Sequence, residues 1–326
     1  MRGSSSVESE RLRVIEAARI ESSLGPRWLI EDLWEEEGVG ILGGAPKSCK
    51  TFLAMDLAFS VATATAVLGS YAVAEPGPVL VFCAEDQPAM IKTRLEGLAI
   101  HRGRALEGVP LYVIVESALR LDTKKDQARL SEAVSQYRPR LLVLDPFVRL
   151  HRIDENSALE VSGILAYLRE MQRRFQVGVL VVHHSRKAGS GAEQAGLSLR
   201  GSGDFHAWGE SNLYLRRRRG ALELVIEQRN APAPEPVELA LRADGSSPAH
   251  LEVVCPASRS GELEELKAQV LAVLLKDAAP RTQDSLRTEL HVRMQRIQGA
   301  LRELESEGAL ERTAAGWGLR DSTSAQ

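Results

Sequence analysis

Apolar residues fall along this chain in rhythms that change near residue 203 and again near residue 256. Between 38 and 182, short and nearly uninterrupted apolar runs occur at 38–43, 79–83, 111–115, 141–144 and 177–182. Such runs predict parallel strands buried on both faces of a sheet. The segments 88–97, 124–137 and 157–175 space their apolar residues as helices do and predict the crossovers between those strands. Past 203 the pattern is that of paired strands, at 212–217, 221–228, 237–241 and 250–254, which predicts an antiparallel extension of the same sheet. Upstream, 7–21 has helix-forming composition, and Trp28, Leu29 and Ile30 with Leu33 and Trp34 are expected to cover an edge of the domain that follows.

Small and polar residues with one proline at 256–261 predict a linker to a second module. There 263–276 predicts one helix, Thr282 caps a second that runs to 290, and 293–307 predicts a third with Met294, Ile297, Leu301 and Leu304 on its buried face. Gly308 ends that helix, and 310–313 with 317–320 predict a hairpin around 314–316. Three helices followed by a hairpin resemble a winged helix-turn-helix. The expected division is therefore an N-terminal segment at 1–34, an α/β domain at 35–256, and a linker with a small winged-helix domain and polar tail at 257–326.

Composition narrows the picture. With 326 residues and 44% hydrophobic content the chain can bury a substantial core. A net charge of −3 gives no global attraction to nucleic acid, so such contact must come from local basic loops. Cys49, Cys83 and Cys255 are scattered, without metal-ligand spacing or a disulfide framework, which suits a reducing interior. No membrane span and no secretory signal is legible, and the expected location is cytoplasmic.

Candidate chemistry begins at Gly44, Ala45, Pro46, Lys47, Ser48, Cys49, Lys50 and Thr51. Placed between an apolar strand and a helix, they read as a phosphate-binding loop and imply a nucleoside triphosphate, ATP, with Mg²⁺. Backbone N–H groups cradle phosphate, Lys50 reaches the β- and γ-phosphates, and the Thr51 hydroxyl ligates the metal. Cys49 stands where the motif places its second glycine, which puts backbone approach and turnover in question. Beside Lys50 at a helix N-terminus, its thiol is expected to have a lowered pKa and to be oxidisable. Asp145, ending an apolar strand, is the expected metal carboxylate. Glu85, following its strand at the same carboxyl edge, is the expected base that polarises the attacking water, with Asp86 its rival.

His183 and His184 follow another strand at that edge; His183 is the expected γ-phosphate sensor. The segment after them carries Arg186 and Lys187 on a glycine-rich stretch suited to DNA phosphates, and Arg149, His151 and Arg152 offer a second such loop. The run 216–219, four arginines before Gly220, is read instead as a solvated hairpin tip. On the third helix of the second module, Arg293, Gln295, Arg296 and Arg302 could meet phosphates or base edges of duplex DNA. Glu262, Glu264, Glu265, Glu303, Glu305 and Glu307 nearly balance that charge, so protein docking stays open.

Taken in order, Gly44 to Ser48 with Lys50 and Thr51, Glu85, Asp145-Pro146-Phe147, Asp154-Glu155-Asn156, His183-His184-Ser185, Arg200-Gly201-Ser202 and Gln228-Arg229-Asn230 resemble the RecA-type ring ATPases, most closely the RepA-like hexameric replicative helicases of plasmids and mobile elements. The resemblance implies an α/β, RecA-like P-loop NTPase with a mainly parallel sheet and an antiparallel C-terminal extension. It also implies a hexameric ring acting on single-stranded DNA, with Glu85 as catalytic glutamate and a site shared between subunits. Arg200 and Arg229 are then the candidates to enter the neighbour's site. Related ring helicases often carry lysine two residues before the position of Arg229, where this chain has Glu227. The residues leave two other readings open: a non-hydrolysing, ATP-gated DNA-binding regulator, and a recombination or helicase-loading factor of the same fold.

Overall fold

Uninterrupted apolar runs become the centre of a nine-stranded sheet in the computed structural model, which describes residues 14–19, 25–116, 118–184, 204–218, 220–243, 248–254, 257–277, 279–292, 294–313 and 315–320. Ahead of that sheet, β1 (Trp28–Ile30) and β2 (Trp34–Glu35) pair with each other. The parallel strands are β3 (Val39–Gly44), β4 (Val79–Cys83), β5 (Leu111–Ile114), β6 (Leu141–Asp145) and β7 (Gly178–His184), and β8 (Ser211–Arg218) lies parallel to β3. Three further strands, β9 (Ala221–Gln228), β10 (Val237–Arg242) and β11 (His250–Val253), continue antiparallel, so the order across the sheet is β11-β10-β9-β8-β3-β7-β6-β4-β5.

Every residue of β3, β4 and β6 is buried because helices cover both faces. On one face α1 (Lys50–Thr63) and α2 (Pro88–His101) pack through Leu53, Leu57, Ile91 and Leu95. On the other, α3 (Lys124–Tyr137), α4 (Ala158–Phe175) and the short α5 (Asp204–Trp208) pack through Leu130, Val134, Leu168 and Phe205. The expected strand at 111–115 is only partly buried, because β5 is the outermost strand and leaves Tyr112 and Val115 exposed. Thr123 and Ser157 accept hydrogen bonds from Asp126 N and Glu160 N at the starts of α3 and α4, caps of a kind that each contribute about 1 kcal/mol.

Within 7–21 the described residues hold only the 3-10 turn Ala17–Arg19, with no buried side chain. A short helix gains most of its stability from burying a face, and this turn buries none. Leu29, Ile30, Leu33 and Trp34 instead enter the α1-side core, and the boundary expected at 34/35 falls within β2. Gly40 makes room for this, since a β-carbon there would lie 1.7 Å from Ser211 O and 2.9 Å from the Trp34 ring.

The sheet curls over its α1 face until β11 touches both α1 and α2. Past it, α6 (Ala257–Asp277) starts inside the stretch expected to be a linker, so 257–261 is helical rather than extended. With α7 (Gln283–Glu289), capped by Thr282, and α8 (Met294–Ser306), it encloses a separate core around Leu266, Val270, Leu286, Ile297, Leu301 and Leu304. The hairpin of β12 (Leu310–Thr313) and β13 (Gly316–Leu319) closes this core with Leu310 and Trp317, and Arg281 bridges Trp317 antiparallel.

Candidate functional site

The turn from β3 into α1 is shaped by close approach. A β-carbon at Gly44 would lie 2.6 Å from Leu215 O and 2.7 Å from Ser48 Oγ, so only glycine fits there. Lys47 and Cys49 both take left-handed backbone, at φ 61° and 65°, the conformation that the motif's glycine accepts without strain. Cys49 is the N-cap of α1 and makes no side-chain capping bond. Lys50 is buried, and its Nζ donates to Gly44 O at 3.0 Å and Ala45 O at 2.8 Å. Burial lowers its pKa, with Asp145 and Glu85 pulling it back up.

The Thr51 hydroxyl donates to Asp145 Oδ2 at 2.7 Å, joining the first turn of α1 to the end of β6. Burial pushes the Asp145 carboxyl up to about 6, against the Thr51 hydrogen bond that favours its ionised form. Beside it, Ala84 N donates to Asp145 O at 2.8 Å, and β4 therefore delivers Glu85 to the same edge. Glu85 is exposed and accepts from Arg149 Nε at 3.1 Å. Its rival Asp86 is engaged by Arg94, which also lies over the Phe52 ring. The two acids are thus distinguished by their partners: one is tied to α2, the other stands at the open edge.

The expected sensor His183 is almost fully buried, with ring centroids 4.4 Å from Phe205 and 5.6 Å from Phe147. Strand alternation directs it to the α4 and α5 side, and His184 to the α1 side. In the expected basic loop after β6, Arg149 and Arg152 are exposed but His151 is buried against Phe147, which removes it from any surface contact. Arg296 is exposed on α8. Arg186, Lys187, Arg200 and Arg293 lie outside the described residues.

Arg229 is exposed, and its guanidinium donates to Ala207 O. It follows Gln228, which pairs with Ser211, whereas Gly44 pairs with Leu215 four residues further along β8. At about 3.3 Å per residue, Arg229 stands at least roughly 13 Å from the phosphate loop of its own chain, at the opposite edge of the sheet. Its neighbours serve structure there: Gln228 Nε2 donates to Leu33 O at 2.9 Å, Asn230 bonds the Glu35 carboxylate, and Glu227 meets His206.

At Cys49 the structure departs from the expectation. The Cys49 thiol is pushed up, not down: burial outweighs the opposing charges of Arg217 and Lys50. The arginines 216–218 lie at the end of the β8–β9 hairpin, where Arg217 and Arg218 are exposed. Arg216 pairs with Glu223, while Arg217 lies near enough to the phosphate loop to act on Cys49. Arg217 shares the parity of the core residues Leu213 and Leu215, a signal present in the sequence once β8 is known to adjoin β3.

These residues fit a nucleotide phosphate and a divalent cation. Among the described residues the buried Ser48 hydroxyl has no hydrogen-bond partner, Gly44 admits no side chain, and Thr51 with Asp145 offers the hard oxygen donors that Mg²⁺ takes. Among known protein families, the AAA domain matches residues 7–190, more than half of the chain. No curated protein matches. Solved structures similar to this chain include the crystal structure of the RadB recombinase, at 18% identity and a TM-score of 0.48, covering 68% of this chain and 92% of that one.

Proposed function

This chain belongs to the AAA domain family, and on that premise we propose that it is a magnesium-dependent ATP hydrolase that moves on single-stranded DNA, a RepA-like hexameric helicase acting in the cytoplasm on a plasmid or mobile element. The observation that carries the proposal is the Thr51–Asp145 hydrogen bond at 2.7 Å, with Lys50 anchored beside it and Glu85 on the adjoining strand end. In this reading Gly44, Ala45, Pro46, Lys47, Ser48 and Cys49 hold phosphate through their backbone, and Lys50 balances its charge. Thr51 and Asp145 hold the cation, which when bound neutralises phosphate charge and polarises the phosphoryl oxygens. Glu85 orients water and accepts its proton, a role open to it because it is exposed at the carboxyl edge.

Arg149 links that base to DNA. Its pair with Glu85 is exposed and worth at most about 1 kcal/mol, so a DNA phosphate can compete for the guanidinium and release the carboxylate. Arg152, Arg186 and Lys187 complete the strand-binding surface, and His183 relays the state of the γ-phosphate through its packing on Phe147 and Phe205. Arg200 or Arg229 enters the neighbouring subunit's site. For Arg229 this role is supported by its exposure at the edge of the sheet opposite its own phosphate loop. The module from α6 to β13 serves as a winged helix whose Arg293 and Arg296 contact duplex DNA.

Steady-state ATP hydrolysis by wild type and Glu85→Gln, with and without single-stranded DNA and with oligomer size recorded, tests the proposal. DNA-stimulated turnover in wild type, lowered about 10²–10⁴-fold in the variant, is expected. Cys49 in left-handed backbone where glycine is usual favours one other reading, an ATP-gated DNA-binding regulator. Nucleotide binding without turnover in wild type would select it.

A further inference from the structure

Away from the phosphate loop, the curl of the sheet brings the last residue of α2 against the edge strand β11. His250 and Glu252, two residues apart, share one face of β11, and His101 meets them from α2. The Glu252 Oε1 atom lies 3.0 Å from His250 Nε2 and 3.8 Å from His101 Nε2, and the two imidazoles stack with centroids 3.7 Å apart. Two nitrogens and one oxygen converge within 4.8 Å of one another.

We propose that His101, His250 and Glu252 form a binding site for a divalent transition-metal ion of the zinc class. Tetrahedral zinc with bonds of about 2.0–2.1 Å spaces its ligand atoms roughly 3.3 Å apart, a separation bracketed by the two distances to Oε1. Two imidazoles with one carboxylate suit Zn²⁺ and its neighbours in the first transition row, whereas Mg²⁺ prefers an all-oxygen shell. Three protein ligands leave a fourth position for water.

The surroundings hold the ligands in place. Arg242 Nε approaches Glu252 Oε2 at 3.4 Å and leaves Oε1 turned toward the imidazoles, the kind of outer contact that orients a ligating carboxylate. Next to His101, Arg102 is locked to Asp56 of α1 through contacts of 3.1 and 3.2 Å. Gly97 lets Pro248 close in, since a β-carbon there would lie 2.6 Å from the proline ring. A bound ion would therefore clip the sheet's edge to α2 without touching Lys50, Thr51 or Asp145, and its presence does not depend on the proposed ATPase activity.

The test uses the tag-free full chain without nucleotide, stripped with chelator and titrated with Co²⁺. One equivalent giving the intense visible absorption of tetrahedral cobalt, displaced by Zn²⁺ and accompanied by a higher melting temperature, is expected. His101→Gln and Glu252→Gln should weaken binding at least about tenfold. Their metal-free circular dichroism should match wild type, and His206→Gln should bind normally. His101 is the primary probe because it is exposed, so its replacement leaves the core intact. Only the weak absorption of octahedral cobalt, or equal affinity in wild type and His101→Gln, would overturn the proposal and leave the cluster as an ion pair between histidines and a carboxylate.

Discussion

At Cys49 two effects oppose each other on one sulfur atom. Lys50 and Arg217 favour thiolate, burial disfavours it, and burial is larger. A raised thiol pKa leaves less thiolate at every pH below it, so reactivity appears later on an alkaline titration than for free cysteine. Iodoacetamide at pH 8 should therefore alkylate Cys49 more slowly than a free cysteine control, read by peptide mass spectrometry, and mild peroxide should leave ATP hydrolysis unchanged. Faster alkylation than the control would refute the burial argument. The places of Lys50 and Thr51 on the loop follow from chain spacing, and that of Asp145 from its position at the end of an apolar strand, so all three were legible in the sequence, whereas the sign at Cys49 depends on how much protein surrounds it. The nearness of Arg217 to the loop was not legible in the run 216–219, because it follows from strand parity and from the pairing of β8 with β3.

Among the elements, α1 shows how the site is held. Its Asp56 is fully buried, and burial raises the carboxyl pKa against Arg102, Leu68 N and Ser60, which all favour the charge. Removing one partner of such a pair strands a charge in the interior. Arg102→Ala should thus destabilise the protein by about 3–5 kcal/mol in urea unfolding, far above the cost of an exposed arginine. A loss under about 1 kcal/mol would mean that the pair is solvated in solution. The parallel strands and the helices α3 and α4 were read nearly to their ends, since continuous apolar runs and capped periodic stretches are local signals. The start of α6 was not: 257–261 is small and polar and reads as a linker, yet it extends a helix whose later turns bury Leu266, Val270 and Leu274.

For the whole molecule, the separation of Arg229 from its own phosphate loop gives a test of shared sites. Lys50→Ala and Arg229→Ala should each be inactive alone. Mixed, they should recover part of the wild-type turnover, because a Lys50→Ala subunit can lend Arg229 to the intact loop of its neighbour. A mixture as inactive as its components would remove Arg229 from the interface role. The sequence by itself determined the alternation of strands and helices, the phosphate loop with Asp145 and Glu85 at one sheet edge, and a second module of helices closed by a hairpin, because each is written in residues close along the chain. Tertiary structure alone decided that Leu29, Ile30, Leu33 and Trp34 enter the core instead of covering an edge, that Arg217 faces the loop and Arg229 turns away from it, and that His101 meets His250 and Glu252. Those outcomes depend on strand order and on the curl of a nine-stranded sheet, which place residues more than a hundred positions apart in contact, and no local pattern of apolar and polar residues encodes them.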